Sequence, residues 1–134
     1  MRKRKHMIRG ERGQTMVEFA VVLPIFCMLL LGIAQLGIAF NNYLNLTDAV
    51  RQGARYGAVQ GCSGTCDRSG VVTTKVKQSA SNLDTNNLTV TFPNTTWAPT
   101  TDLNVCGAYP YSINILGMVV ASGNLNSCTT ERIE

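Results

Sequence analysis

The sequence predicts an α+β chain: a long N-terminal transmembrane helix that extends out of the membrane, then a short helix and a small antiparallel β-sheet. Three observations carry that expectation. No Asp, Glu, Lys or Arg occurs from Phe19 to Thr47. Positive charge is concentrated ahead of that stretch. Beyond it, short runs that alternate apolar residues with Thr or Asn are separated by Gly, Pro and Asn, the pattern of half-buried strands and turns.

The net charge of +4 over 134 residues is unevenly held. Residues 1–13 carry Arg2, Lys3, Arg4, Lys5, Arg9 and Arg12 against Glu11, a local charge of +5, and the remainder carries −1. A basic leader followed by an apolar run fits the positive-inside rule, with the N-terminus cytoplasmic and the C-terminal domain extracytoplasmic. A basic arm for nucleic acid would lead into a soluble helix instead, so nucleic acid is not an expected partner and membrane lipid is. The expected organisation is a leader over residues 1–13, a transmembrane helix with its extension over 14–60, and a small extracytoplasmic α+β domain over 61–134. A domain that small has little surface to bury and calls for covalent staples or partner subunits.

Phe19 to Phe40 is apolar apart from Gln35. At about 1.5 Å per residue it covers roughly 33 Å as a helix, against a bilayer core of roughly 30 Å. A soluble helix of that length would show a polar face. A cleaved secretory signal is the rival, with small-x-small sites at Gly32-Ile33-Ala34 and Gly37-Ile38-Ala39. The run exceeds the usual apolar core of such signals, and Glu18 at its start has no role there. Pro24 is tolerated in a membrane helix, where neighbours re-satisfy the freed carbonyl.

Glu18 lies directly before Phe19, where an acid at the edge of the hydrocarbon is costly unless paired or snorkelled. Gly13-Gln14-Thr15-Met16-Val17-Glu18-Phe19, after a basic leader and before an apolar helix, resembles a type IV prepilin processing junction. The continuation Glu18-Phe19-Ala20-Val21-Val22-Leu23-Pro24, with Asp48-Ala49-Val50-Arg51-Gln52-Gly53-Ala54-Arg55-Tyr56-Gly57, resembles the TadE/TadG-like minor pilins of the tight-adherence (Flp) pilus system. Thr129 to Glu134 is similar to the closing strand of such proteins. The resemblance implies cleavage between Gly13 and Gln14 by an aspartic prepilin peptidase, N-methylation of the new terminus, and pairing of that amine with Glu18 of an adjacent subunit, beside Phe19. It implies as partners a prepilin peptidase, other pilin subunits and the pilus assembly platform. Gln14 departs from the phenylalanine of many major pilins, which counts against the methylation. The outer domain is far larger than in Flp major pilins, which points to a minor or accessory role.

Outside the membrane, Tyr43 is placed as an interfacial aromatic. The helical pattern continues to about Val59, with Leu44, Leu46, Ala49, Val50, Ala54 and Ala58 as an apolar stripe. Ala49, Gly53, Gly57 and Gly61 recur every fourth residue on one face. Small residues so spaced allow close packing, against the chain's own domain or a neighbouring subunit.

In the outer domain, residues 62–70 read as a loop. Val71 to Leu83 reads as a short helix with Val72, Val76 and Ala80 on one side. Leu88 to Phe92 and Leu103 to Tyr109 read as strands, Pro110 to Leu116 as a connection, and Met118 to Ala121 and Ser127 to Ile133 as the closing strands. Cys27 lies within the apolar run and behaves as a small apolar residue. Cys62, Cys66, Cys106 and Cys128 lie where oxidation is favoured and allow three pairings, of which Cys62–Cys66 with Cys106–Cys128 is preferred. A zinc site is the rival use of these thiols, but the spacings Cys-x3-Cys and Cys-x21-Cys do not repeat a ribbon pattern, and no metal site is expected.

The sole histidine, His6, lies in the leader. No Ser-His-Asp or Cys-His set can be built beyond Gly13, and no phosphate-binding glycine loop or H-E-x-x-H appears, so no catalytic residue and no cofactor are expected. Sequons at Asn45, Asn87 and Asn94 are cheap in a Thr/Asn-rich chain. Two readings remain: a minor pilin or pseudopilin in assembly or adhesion, and an uncleaved single-pass envelope accessory protein with a binding domain.

Overall fold

The computed structural model describes residues 11–60, 67–93 and 96–134. The leader residues 1–10, most of the loop over 62–70, and with it Gly61, Cys62 and Cys66, lie outside them. Helix α1 spans Glu11–Val59, and α2 spans Arg68–Ser79. Three strands follow: β1 (Thr89–Thr91), β2 (Asp102–Ile115) and β3 (Met118–Arg132). They form one antiparallel sheet in the order β1-β2-β3.

At about 1.5 Å per residue the 49 residues of α1 make a rod of about 74 Å. Its two halves differ in what surrounds them. The side chains of Leu46, Ala49, Val50, Ala54 and Ala58 are buried, and they form the core with Val72, Val76 and Ala80 of the α2 region and with Leu83, Leu88, Leu103, Val105 and Ile133. Leu44, counted in the expected stripe, is instead 49% exposed. It stands two residues before Leu46, on the opposite side of a helix with 3.6 residues per turn.

α2 presents Val72 and Val76, one turn apart, to α1, as its periodicity predicts. On β2, Leu103, Val105 and Gly107 are buried while their neighbours are not, so one face of the sheet lies on α1. The C-terminal end closes the arrangement. Thr100 N donates to Ile133 O at 2.9 Å, Ile133 N donates to Thr101 O at 2.9 Å, and Glu134 N donates to Ala58 O at 3.2 Å. The last bond satisfies a carbonyl of the final turn of α1, which has no partner within the helix.

Two strand expectations need correction. Pro110 to Leu116 is not a connection, because β2 continues through it to Ile115. β1 pairs only with Cys106, Gly107 and Ala108, so beyond Ala108 one edge of β2 has no strand against it among the described residues, and a proline is tolerated there. The closing strands are one strand, since Ser122 to Asn126 pairs with Ala108 to Ser112 in unbroken register. The turn lies at Leu116-Gly117, with φ of 51° and 85° at its two corners, and joins Ile115 to its partner Met118. A register shift between Ile113 and Asn114 leaves Val120 without an opposite residue, a β-bulge.

Candidate assembly helix and the hairpin beside it

The inner half of α1 is bare. Met16, Val17, Phe19, Val21, Val22, Ile25, Phe26 and Leu29 are each more than half exposed. The span has a mean hydropathy of 2.5 in its most apolar window, none of which is buried within the chain. A surface that apolar needs another apolar phase or another helix against it. At its inner end, Gln14 Nε2 donates to Glu18 Oε1 at 3.4 Å, one turn along the helix. Gly13 has open space around its α-carbon, and Phe19 is 65% exposed. Gly13, Gln14, Glu18 and Phe19 are therefore brought together on one exposed stretch of helix, where a second molecule has access to all four.

The small residues of the outer half meet the chain's own domain. Ala49 is fully buried in the core. A methyl group placed on Gly57 would stand 2.6 Å from Val72 Cγ2 and 2.8 Å from Leu103 Cδ2, and one on Gly53 would overlap the Val76 side chain. Hydrogen at these two positions is what lets α2 and β2 approach the helix backbone. On the sheet side Gly107 does the same, since a methyl there would meet Val50 at 2.7 Å and Leu46 at 2.9 Å.

Cys106 and Cys128 are direct cross-strand partners in the β2–β3 register and form a disulfide, with α-carbons 4.1 Å apart. Cys27 is a free, exposed thiol on the bare half of α1. Among the described residues no cluster of three metal-ligating side chains occurs.

At the start of α2, the Ser69 hydroxyl donates to Asp67 Oδ1. That bond, followed by the Gly70 and Ser69 amides acting at longer range, holds the Asp67 carboxyl below the usual carboxylate range although no side-chain capping bond is complete. Nearby, Lys75 Nζ lies 5.5 Å from the centre of the Tyr56 ring, a cation–π contact between α2 and α1.

The residue that sequence reasoning passed over is Gln35. Its side-chain amide donates to the Asn114 carbonyl and accepts from the Asn114 amide at 2.7 Å, so it pairs with the free edge of β2 as another strand would. Three residues earlier, Gly32 leaves room for Ile115, whose Cδ1 would stand 3.8 Å from a methyl there. A signal was present: Gln35 is the one strongly polar side chain in the run Phe19 to Phe40. Its partner, 79 positions away, was not legible.

The family model described as TadE-like protein matches residues 13–55. These residues include the junction, the bare apolar half of α1 and the start of its buried half. No curated protein and no solved structure matches the chain.

Proposed function

With a TadE-like helix over residues 13–55 as the premise, we propose that the chain is a membrane-anchored minor pilin or pseudopilin that contributes to assembly or adhesion of a tight-adherence pilus. The observation that carries this reading is the bare half of α1, apolar on all sides, with Glu18 as its one acid placed one turn after Gln14. In the membrane that surface is covered by lipid, and in a pilus by the same segment of neighbouring subunits. The role is structural, and the chain acts by packing rather than by catalysis.

Glu18 supplies the register. A carboxylate moved from water into a helix bundle is costly without a cation, and pairing with one fixes the relative height of two subunits. A prepilin peptidase cutting between Gly13 and Gln14 would create such a cation as the new amino terminus, which Glu18 of the next subunit would neutralise. The outer domain stays extracytoplasmic, available to the assembly platform or to a surface.

Mass spectrometry of the protein from its native membrane tests this. A mature N-terminus at Gln14 is the expected result. An intact leader in the presence of an active prepilin peptidase would overturn the pilin reading in favour of an uncleaved envelope accessory protein.

A further inference from the structure

The β2–β3 hairpin does not stay above the apolar run of α1. It descends along it. Leu103 packs by Gly57, Gly107 by Leu46 and Val50, and Ile115 by Gly32. From Gly57 to Gly32 the helix falls by about 38 Å, and from Leu103 to Ile115 a strand covers about 40 Å, so the two run side by side for their whole shared length. Gln35 then fastens the end of β2 to the helix through both backbone groups of Asn114. Gln35 lies five residues inside Phe40, about 7 Å deeper along the axis. With α1 crossing where its composition says, the lower end of this hairpin lies below the level of Phe40.

The composition of the hairpin fits that depth. No Asp, Glu, Lys or Arg occurs from Leu103 to Thr130. The tip is apolar and uncovered, with Leu116 67%, Met118 70%, Val119 61% and Val120 63% exposed. Leu116 occupies a left-handed turn corner with φ of 51°, where Asn, Asp or Gly is the ordinary choice and leucine is strained. A strained, exposed leucine at a hairpin corner has no use in water. One level further out, Tyr109 and Tyr111 line the cleft between the hairpin and Ala39 and Asn42 of α1, where amphipathic rings belong in a headgroup layer.

We propose that the tip of this hairpin, Ile115 to Val120, is inserted among the acyl chains of the outer leaflet beside α1, so that the chain meets the bilayer through two elements. The proposal rests on α1 crossing the membrane. The backbone sets the depth. Cross-strand bonds satisfy the inner groups of the ribbon, and Gln35 satisfies two on the edge of β2. Ile115 beside Gly32 lies about 12 Å inside Phe40, and the remaining edge groups need water, which keeps the tip in the outer leaflet and away from the bilayer centre.

The test uses the full chain at one copy per lipid nanodisc, with Trp97→Phe to remove the native indole and Leu116→Trp as the probe. Val119→Trp, away from the turn corner, is a second probe in case the first disturbs the turn. Phe26→Trp in the same background reports on α1 alone. Lipids brominated at shallow or deep acyl positions quench an indole in contact with them, and aqueous iodide quenches one in water. The expected result is blue-shifted emission from both hairpin probes with stronger quenching by the shallow bromines, and quenching of Phe26→Trp by the deep ones. Iodide quenching of the hairpin probes while Phe26→Trp responds to bromolipid would overturn the proposal and leave the membrane helix standing. Shielding from both quenchers that appears only in discs holding several copies would overturn it in favour of a second copy of the chain as the occupant. Failure of all three probes to respond to bromolipid would overturn the membrane reading and this proposal together.

Discussion

Single residues decide how close the elements of this chain come. Gly53 would ordinarily be a poor choice inside a helix, where glycine costs up to about 1 kcal/mol relative to alanine. Here alanine would be worse, because the added methyl overlaps Val76, which is fully buried. Overpacking of that kind costs about 1–3 kcal/mol. Gly53→Ala should therefore lower the stability of the outer domain in chemical denaturation, and Val76→Ala in the same chain should restore part of it. A stabilised single variant would mean that α2 does not pack here. Asp67 gives a pH-dependent prediction. Its carboxyl is held below the ordinary value of 3.8 by the Ser69 hydroxyl and the neighbouring amides, so its contribution is present above that pH and lost as pH falls through the lower, folded value. Asp67→Asn should flatten the acid limb of a pH–stability profile and leave neutral pH little changed. An unaltered acid limb would show that Asp67 makes no such contact.

The elements were legible to different degrees, for identifiable reasons. α1 announces itself through composition and α2 through Val72, Val76 and Ala80 at helical spacing, although α2 runs from Arg68 to Ser79, about one turn earlier than the expected Val71 to Leu83. The strand cores at Leu103 to Tyr109 and Ser127 to Ile133 show alternation. The lower hairpin does not. Pro110 reads as a breaker, although the free edge of β2 tolerates it, and Ser122 to Asn126 is too polar to suggest a strand until β2 is there to pair with it. Leu116-Gly117 is likewise no recognisable turn, since leucine is not a residue that favours positive φ. Of the candidate site, the close-packed face at Ala49, Gly53 and Gly57 was legible from its spacing, whereas the bond from Gln35 to Asn114 depends on a register that only the folded sheet supplies. The staple between β2 and β3 carries a prediction of its own. The Cys106–Cys128 bond closes a loop across 22 positions, worth about 3 kcal/mol in the chain-entropy account. Cys106→Ser with Cys128→Ser should lower the midpoint of unfolding accordingly in non-reducing conditions. A midpoint equal to the parent's would mean that the reduced domain is already held by its core.

At the scale of the whole molecule, the chain divides into a bare rod and a clad rod. Gly13 to Leu31 is exposed along its whole length of about 28 Å. Everything from Gly32 outward is accompanied by β2, β3 or α2 on one side. Only the bare part presents an apolar surface on every side, and Glu18 sits near its N-terminal end. Glu18→Ala is thus expected to leave processing at Gln14 intact while reducing assembled pili, scored by N-terminal mass spectrometry and by shear recovery of pili from the same cells. Normal pilus yield from that variant would remove charge pairing from the mechanism.

The bond from Gln35 to Asn114 bears on how force passes through the chain. A domain joined to its anchor by one helix alone could swivel about the emergence point near Asn41 to Asn45. A second attachment lower down, near the far end of β2, removes that degree of freedom. Torque or tension applied to the sheet is then delivered directly to the exposed rod, and the azimuth of the sheet around the helix axis is held at two levels instead of one.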